Sequence, residues 1–255
     1  MNVLKRLRWG VDVAEGLRSG KYRAGYWRHE PQGVNENDND HYLQSHESIK
    51  TNIEKAKSEG LPATSYPGFY WVNKFAGAVS VGGKKANIWD FGGAYGFDFF
   101  KLSRFLDYPF SYTVTEIPEI VERAKQLPEL SQISFVAGSM PEQCPDILYS
   151  NGTTMNASKY LFPFIEHSRP KHIVISAVEC SDEPTFYTIQ TLRKTKRRCV
   201  YTTYNLKEFI SLVERLGYRL DDCAKGSEQG SGVFIRRPLK VHYYSFAFTR
   251  TATAE

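Results

Sequence analysis

Sulfur is scarce in this 255-residue chain, which carries four cysteines and three methionines. Cys144, Cys180, Cys199 and Cys223 stand far apart, with no Cys-x-x-Cys and no histidine pair beside them. That spacing excludes a zinc ribbon and a disulfide framework, and the four read as reduced thiols. Long apolar runs are missing as well. No stretch approaches the length of a membrane span, and the amino terminus lacks the apolar centre of a signal peptide. A cytoplasmic protein with no transmembrane segment is the expectation. Charge of one sign is also limited: the net is +5, and acids and bases interleave along most of the chain. No sequence-specific nucleic acid partner is therefore expected.

Aromatics, by contrast, are plentiful, with 16 Tyr and 16 Phe to supply a core and leave rings for a pocket. The length suits one α/β domain with an added cap, burying roughly 70–75% of the unfolded surface. The most telling stretch is Asn87-Ile88-Trp89-Asp90-Phe91-Gly92-Gly93-Ala94-Tyr95-Gly96. Ile88 to Phe91 reads as a short buried parallel strand, and Gly92, Gly93 and Gly96 make a turn in which positive φ costs little. A helical run, Phe97 to Leu106, follows. Strand, glycine turn and helix let a backbone approach a nucleotide-like ligand at the carboxyl end of a sheet. A dinucleotide fingerprint fails, because the third and sixth positions from Gly92 are Ala94 and Phe97, and no Gly-Lys-Ser or Gly-Lys-Thr makes a P-loop.

Further strands continue the pattern. Ser111 to Ile117 alternates and ends in Glu116, about 20 residues past the glycines, where an acid accepts hydrogen bonds from ribose hydroxyls. The same acid could instead cap the helix that Pro118 opens. Ile133 to Met140 is a third strand ending at Ser139 and Met140, Pro145 to Met155 contains a fourth ending at Ser150-Asn151, and His172 to Val178 is a fifth with Glu179 at its exit. Asn205 to Gly217 is a helix with Asn205 as N-cap and Gly217 as its stop. Tyr218–Leu220 and His242–Phe248 close the sheet as a hairpin-like pair. Repeated strand–helix–strand units fit an α/β sheet with a mixed edge.

Asp90-Phe91-Gly92-Gly93-Ala94-Tyr95-Gly96 resembles motif I of the class I S-adenosylmethionine-dependent methyltransferases, departing from it at Ala94. Over residues 85–222 the order of motifs is similar to a methyltransferase family often encoded among genes for bacterial surface polysaccharides. It departs at the fifth strand, where Ser176-Ala177 and Glu179 replace an Asp-Arg-like pair. The resemblance implies a Rossmann-like class I methyltransferase fold: a mostly parallel seven-stranded sheet with an antiparallel last strand, plus an N-terminal helical cap. Residues 1–84 would be the cap or lid and 85–255 the S-adenosyl-L-methionine-binding domain. It also implies a cofactor site of Asp90, Gly92, Gly93, Ala94, Gly96, Glu116, Ser139, Met140, Ser150 and Asn151, with no metal. The acceptor would be a saccharide or other small molecule, methylated on oxygen. The Asn- or Asp-Pro-Pro-aromatic signature of base N-methylation is missing after the fourth strand. A catalytically silent binding subunit, and an RNA or protein methyltransferase, are the competing readings.

The first 85 residues are the least legible. Residues 3–17 pattern as a basic amphipathic helix, packing on its own domain or touching a membrane surface. Gly33 to Asp40 reads as a polar loop, Ser48 to Gly60 as a helix, and Ser65 to Trp71 as an aromatic turn that either contacts substrate or packs the cap. A hydroxyl acceptor would need a base, but His29, His41, His46, Glu179 and Asp182 show no spacing that selects one, so the catalytic residue stays unassigned. Lys194-Thr195-Lys196-Arg197-Arg198 reads as a solvated basic loop after the fifth strand, or as a patch for a phosphorylated acceptor.

Overall fold

The computed structural model describes residues 21–31, 43–58, 66–138, 140, 144–192, 197–226 and 241–251. In chain order the N-terminal elements are β1 (Lys21–Trp27), α1 (His46–Ser58) and α2 (Tyr66–Val79). Next come β2 (Ala86–Phe91), α3 (Phe97–Phe105), β3 (Phe110–Glu116), α4 (Pro118–Lys125) and β4 (Ser134–Ala137). The second half holds β5 (Ile147–Asn151), α5 (Thr154–Ser168), β6 (His172–Ser181), β7 (Phe186–Leu192) and β8 (Arg197–Asn205). It closes with α6 (Leu206–Arg215), β9 (Tyr218–Lys225) and β10 (Val241–Arg250). Residues 3–17, the Gly33–Asp40 loop, His41 and Ser139 lie outside the described residues.

The main sheet runs β4-β3-β2-β5-β6-β10-β9. Its first five strands are parallel, and β10 lies antiparallel between β6 and β9. This is the expected seven-stranded arrangement with its antiparallel last strand. Short apolar strands buried on both faces need covering on both sides. One face packs on α1 to α4 through residues such as Ile53, Phe69, Phe100 and Ile120. The other packs on α5 and α6 through Leu161, Phe164, Phe209 and Val213. α6 begins where expected, because the Asn205 side chain accepts from the backbone N–H groups of Lys207 (3.0 Å) and Glu208 (3.2 Å).

Two features correct the sequence reading. The aromatic segment from Tyr66 is the start of helix α2, not a turn. Pro67 is tolerated in a first turn. Gly68 permits the close crossing on β6, since a Cβ there would stand 2.0 Å from Ser176 Oγ. The second correction concerns residues 186–205, which carry two further strands. β1, β7 and β8 form an antiparallel ribbon, giving ten strands in all among the described residues. Arg197 and Arg198 of the basic run therefore open β8, while Lys194–Lys196 fall outside the described residues. Thr188, Ile189, Val200, Tyr201, Thr202 and Thr203 are strand-favouring types, and their pairing overrides the charge run.

The ribbon joins at a defined place. β5 ends at Asn151, opposite Ser176, and β6 continues past it. β8 takes up the free side of β6 at Cys180 and Ser181. Between these two partners β6 bulges: Tyr244 pairs with Val178 and Phe246 with Ile175, and Ala177 sits at φ +55°. Bulges re-aim a strand and gather beside functional sites. Here the bulge marks the carboxyl rim of the sheet.

Candidate functional site at the carboxyl rim

The glycine turn leaves β2 and doubles back into α3. Gly92 and Gly96 both have φ of +70°, and Ala94 adopts φ +49° in the same left-handed region. Each glycine has a packing reason of its own. A Cβ on Gly92 would come within 2.3 Å of Thr153, one on Gly93 within 2.0 Å of Asp90 Oδ2, and one on Gly96 within 2.7 Å of Ile133. The glycines thus admit neighbouring side chains, in addition to keeping the turn low. Gly92, Gly93 and Ala94 remain half-buried, so their backbone is open to a ligand.

Glu116 ends β3 beside that turn. Its Oε1 accepts the Ala94 N–H at 3.0 Å, and its Oε2 accepts the Ile117 N–H at 2.9 Å. Burial pushes its carboxyl above the usual range, and the two backbone donors oppose that shift. Beyond β4 and β5, Gly138 (φ +55°) and Gly152 (φ +74°) have nothing within 4 Å of where a Cβ would stand. Met140 is exposed. The turn, Glu116, Gly138 and Gly152 thus stand at the carboxyl ends of β2 to β5.

Beside the turn lies a buried acid network that the sequence alone does not reveal. Asp90 is 2% exposed, and its Oδ2 accepts the Tyr112 hydroxyl at 2.6 Å. Asp98, in the first turn of α3, accepts from the Tyr149 hydroxyl (3.0 Å), Asn151 Nδ2 (2.9 Å) and Lys101 Nζ (2.9 Å). Burial, and after it the Asp98 charge, holds the Asp90 carboxyl well above the ordinary carboxylate range. Asn151 thus reaches the network, while Ser150 is wholly buried and donates to the Phe91 carbonyl at 3.1 Å, tying β5 to β2. An acid in the first turn of the helix after the glycines was the available signal for Asp98.

The N-terminal segment crosses the same region. The Gln44 N–H approaches the Tyr95 hydroxyl at 3.4 Å, and the Gln44 carbonyl accepts from Arg123 at 2.6 Å. Phe69 is fully buried against Tyr149, and Trp71 is buried with its indole N–H donating to Asp222 at 3.2 Å. These two rings pack α2 onto the sheet, whereas Tyr70 between them is exposed. Of the expected base candidates, His29, His46 and Asp182 are exposed, whereas Glu179 is fully buried and accepts the Thr203 hydroxyl at 2.6 Å. Among the described residues no group of three or more His, Cys, Asp or Glu could hold a metal ion, and no helix is long and apolar enough to cross a membrane.

Solved structures share this architecture. A cysteine-to-alanine variant of LepI, in complex with SAH and a substrate analogue, is 14% identical, with 83% of this chain and 54% of that one covered at a TM-score of 0.51. The N-terminal domain of EvdMO1, crystallised in the presence of SAH and D-fucose, is 10% identical, with 82% and 98% covered at 0.50. The 1,6-didemethyltoxoflavin-N1-methyltransferase of Burkholderia thailandensis, with bound 1,6-didemethyltoxoflavin and S-adenosylhomocysteine (SAH), is 15% identical, with 88% and 93% covered at 0.49. This chain has the class I methyltransferase fold. It spans about half the length of LepI. No protein-family model matches the chain, and no curated protein matches it by sequence.

Proposed function

We propose that this chain is an S-adenosylmethionine-dependent methyltransferase acting on a small molecule, with a saccharide hydroxyl as the acceptor. The observation that carries the reading is Glu116, whose carboxylate faces the half-buried glycine turn at the carboxyl ends of β2 and β3. S-adenosylmethionine supplies an already activated sulfonium methyl, so the protein's part is to bind, orient and exclude water.

The residues present fit such a cofactor. Gly92, Gly93 and Ala94 offer accessible backbone, and Glu116 offers carboxylate oxygens to ribose hydroxyls. The open space at Gly138 and Gly152 leaves room on either side. Gly96 shapes the entry to α3, Asp90 supports Gly93 from below, and Asn151 steadies Asp98. Met140 and Ser139 belong to the adenine edge in this reading, and Ser150 acts through the backbone it holds. Of the segment 1–84 expected as a cap, β1 joins the β7–β8 ribbon and α1 and α2 cover the sheet, while the Gln44 segment, held by Tyr95 and Arg123, would keep water from the turn.

The test is calorimetric. The wild type should bind S-adenosylmethionine and S-adenosylhomocysteine, and Glu116→Ala should lose on the order of 1.5–3 kcal/mol, the worth of hydrogen bonds to a charged group. Glu116→Gln, which keeps an acceptor for the Ala94 N–H, should lose affinity with little change in melting temperature. Equal affinity in all three proteins would remove the site assignment. No binding to the wild type would favour the competing reading, a silent binding subunit, for which Ala94 at the middle glycine position is the motive.

A further inference from the structure

The order of the strands fixes what lies under each part of a ligand on the glycine turn. β3, which ends in Glu116, flanks β2 on one side, and β5, which ends in Asn151, flanks it on the other. In the methyltransferase reading the adenine edge is at Met140, beyond β4, and the ribose is at Glu116. The remaining arm of the cofactor, which carries the sulfur, then crosses the end of β2 toward Asn151 and Asp98. Asp90 lies directly against that crossing. A Cβ on Gly93 would stand 2.0 Å from Asp90 Oδ2, so the backbone of one half-buried glycine separates this carboxyl from the open face of the turn.

The titratable groups around Asp90 are acids and phenols. Tyr112 and Glu116 face it from β3, Tyr149 from β5 and Asp98 from α3. The cations nearby are engaged elsewhere: Lys101 is paired with Asp98 at 2.9 Å, and Arg123 of α4 donates to the Gln44 carbonyl. Asp90 itself has a neutral partner, the Tyr112 hydroxyl. Burial, and after it the Asp98 charge, keeps the Asp90 carboxyl protonated well above the ordinary carboxylate range. On β6, opposite Asn151, the Ser176 hydroxyl is wholly buried and has no hydrogen-bond partner among the described residues. Such an atom needs a reason, and a polar ligand arm at this edge supplies one. A rim with three carboxyl groups complements positive charge, and at buried groups salt screens that charge little.

S-adenosylmethionine and S-adenosylhomocysteine differ by one methyl group and one positive charge on sulfur. We propose that Asp90 and Asp98 determine which of the two this rim prefers: they favour the cationic cofactor over its neutral-sulfur product by coupling its binding to loss of the Asp90 proton. The inference rests on the methyltransferase reading. No bond forms between Asp90 and the ligand. The proton passes to the buffer, and the carboxylate left behind compensates the sulfonium across the Gly93 backbone. A nearby cation favours the charged carboxylate, so affinity for S-adenosylmethionine rises with pH wherever Asp90 is protonated in the free protein and ionised in the complex. S-adenosylhomocysteine brings no charge on sulfur and lacks that slope. Methyl transfer removes the charge, Asp90 regains a proton from solvent, and the hold on the product loosens.

Calorimetry from about pH 5 to about pH 8, in buffers of different ionisation enthalpy, reads both the affinity and the protons released. For the wild type, the ratio of S-adenosylmethionine to S-adenosylhomocysteine affinity should rise about threefold to tenfold per pH unit within that range, the slope of a large fraction of one proton. Sinefungin, which carries an ammonium in place of the sulfonium methyl, should follow S-adenosylmethionine. Asp90→Asn should flatten the ratio. Asp98→Asn keeps a carbonyl acceptor for Tyr149 and Asn151 but removes the like charge, and should move the rise to lower pH. A purely structural role would not produce that displacement, and taking each protein's own S-adenosylhomocysteine affinity as reference removes any general loss of stability. Equal slopes for all three ligands with the wild type, or a wild-type slope kept in Asp90→Asn, overturns the proposal and leaves the methyltransferase reading standing. Failure of the wild type to bind any of the three overturns both.

Discussion

Two buried aspartates sit at opposite ends of β2, and the fold treats them in opposite ways. Asp146, at the amino end, accepts from the Asn87 N–H at 3.0 Å and from Lys171 Nζ at 2.6 Å, with Lys84 Nζ 3.9 Å away. Burial works to raise its carboxyl, but the Lys171 bond, the Asn87 N–H and the lysine charges outweigh that and hold it below the ordinary range. Asp90, at the carboxyl end, has a tyrosine hydroxyl and a second acid for company and is held well above that range. The contrast extends to the neighbourhood of each. The amino end is clamped by paired charges, and His172 there stacks on Phe75 at 4.1 Å. The carboxyl rim carries the left-handed Ala94 and Ala177, the unpartnered Ser176 and Thr154 hydroxyls, and the open glycines. Paired charges gather at the amino end, whereas left-handed alanines beside open glycines gather at the carboxyl rim, where a site can be held in a conformation the chain would not choose alone.

The sharpest way to break the rim is Gly93→Ala. The new Cβ would meet Asp90 Oδ2 at 2.0 Å and Cγ at 2.4 Å, and a buried carboxyl bonded to Tyr112 has little freedom to withdraw. The expected loss is about 1–3 kcal/mol in chemical denaturation, the usual cost of overpacking. Asp90→Ser in the same chain shortens the obstructing side chain and should recover part of it, so the two effects will not add. Additive losses would mean that Gly93 matters for another reason than the carboxyl beneath it.

The two aspartates should also separate by pH. A depressed carboxyl contributes stability above its unfolded pKa and loses it as the pH falls. Asp146→Asn should therefore destabilise by about 1 kcal/mol at neutral pH, kept small because Lys171 and Lys84 are open to solvent, with the difference from wild type vanishing below about pH 4. A raised carboxyl has the reverse sign: its contribution is full below the unfolded pKa and is lost as the pH rises. Asp90→Asn should then gain on the wild type as the pH climbs from about 4 toward neutrality. Urea denaturation across that range measures both. Parallel curves for the two variants would erase the distinction between the ends of the sheet.

Much of the rim could be read from the chain because its signals are local. Glycines at positive φ, an acid ending a strand, Pro118 in a first turn and Asn205 as a cap each act within a few residues of where they stand. What could not be read depends on distant partners. The acid network needs Tyr112, Tyr149 and Asp98 brought together from three elements. α2 could not be seen in a segment with Pro67 and Gly68, because the reason for that glycine is Ser176, far along the chain. The β1–β7–β8 ribbon was obscured by a basic run, and β1 finds its register against β7 across more than half the sequence. Its polar strands satisfy no simple apolar alternation, since Thr188, Gln190, Thr202 and Thr203 are buried.

The smallest expected effect concerns the one departure from the resembled motif. Ala94 holds φ +49°, a region that costs an L-residue about 1–2 kcal/mol, yet its N–H is fixed by Glu116 at 3.0 Å. Ala94→Gly removes the strain but makes the unfolded chain more flexible by about 0.4–1 kcal/mol, so the net gain should lie between zero and about 1.6 kcal/mol. If the strained alanine merely tolerates its place, the glycine variant will melt slightly higher and bind S-adenosylhomocysteine as the wild type does. If the strain instead keeps the turn preorganised for a ligand, the same variant will gain stability and lose affinity. The two measurements together therefore decide whether Ala94 is an accident of the turn or part of how the rim is held.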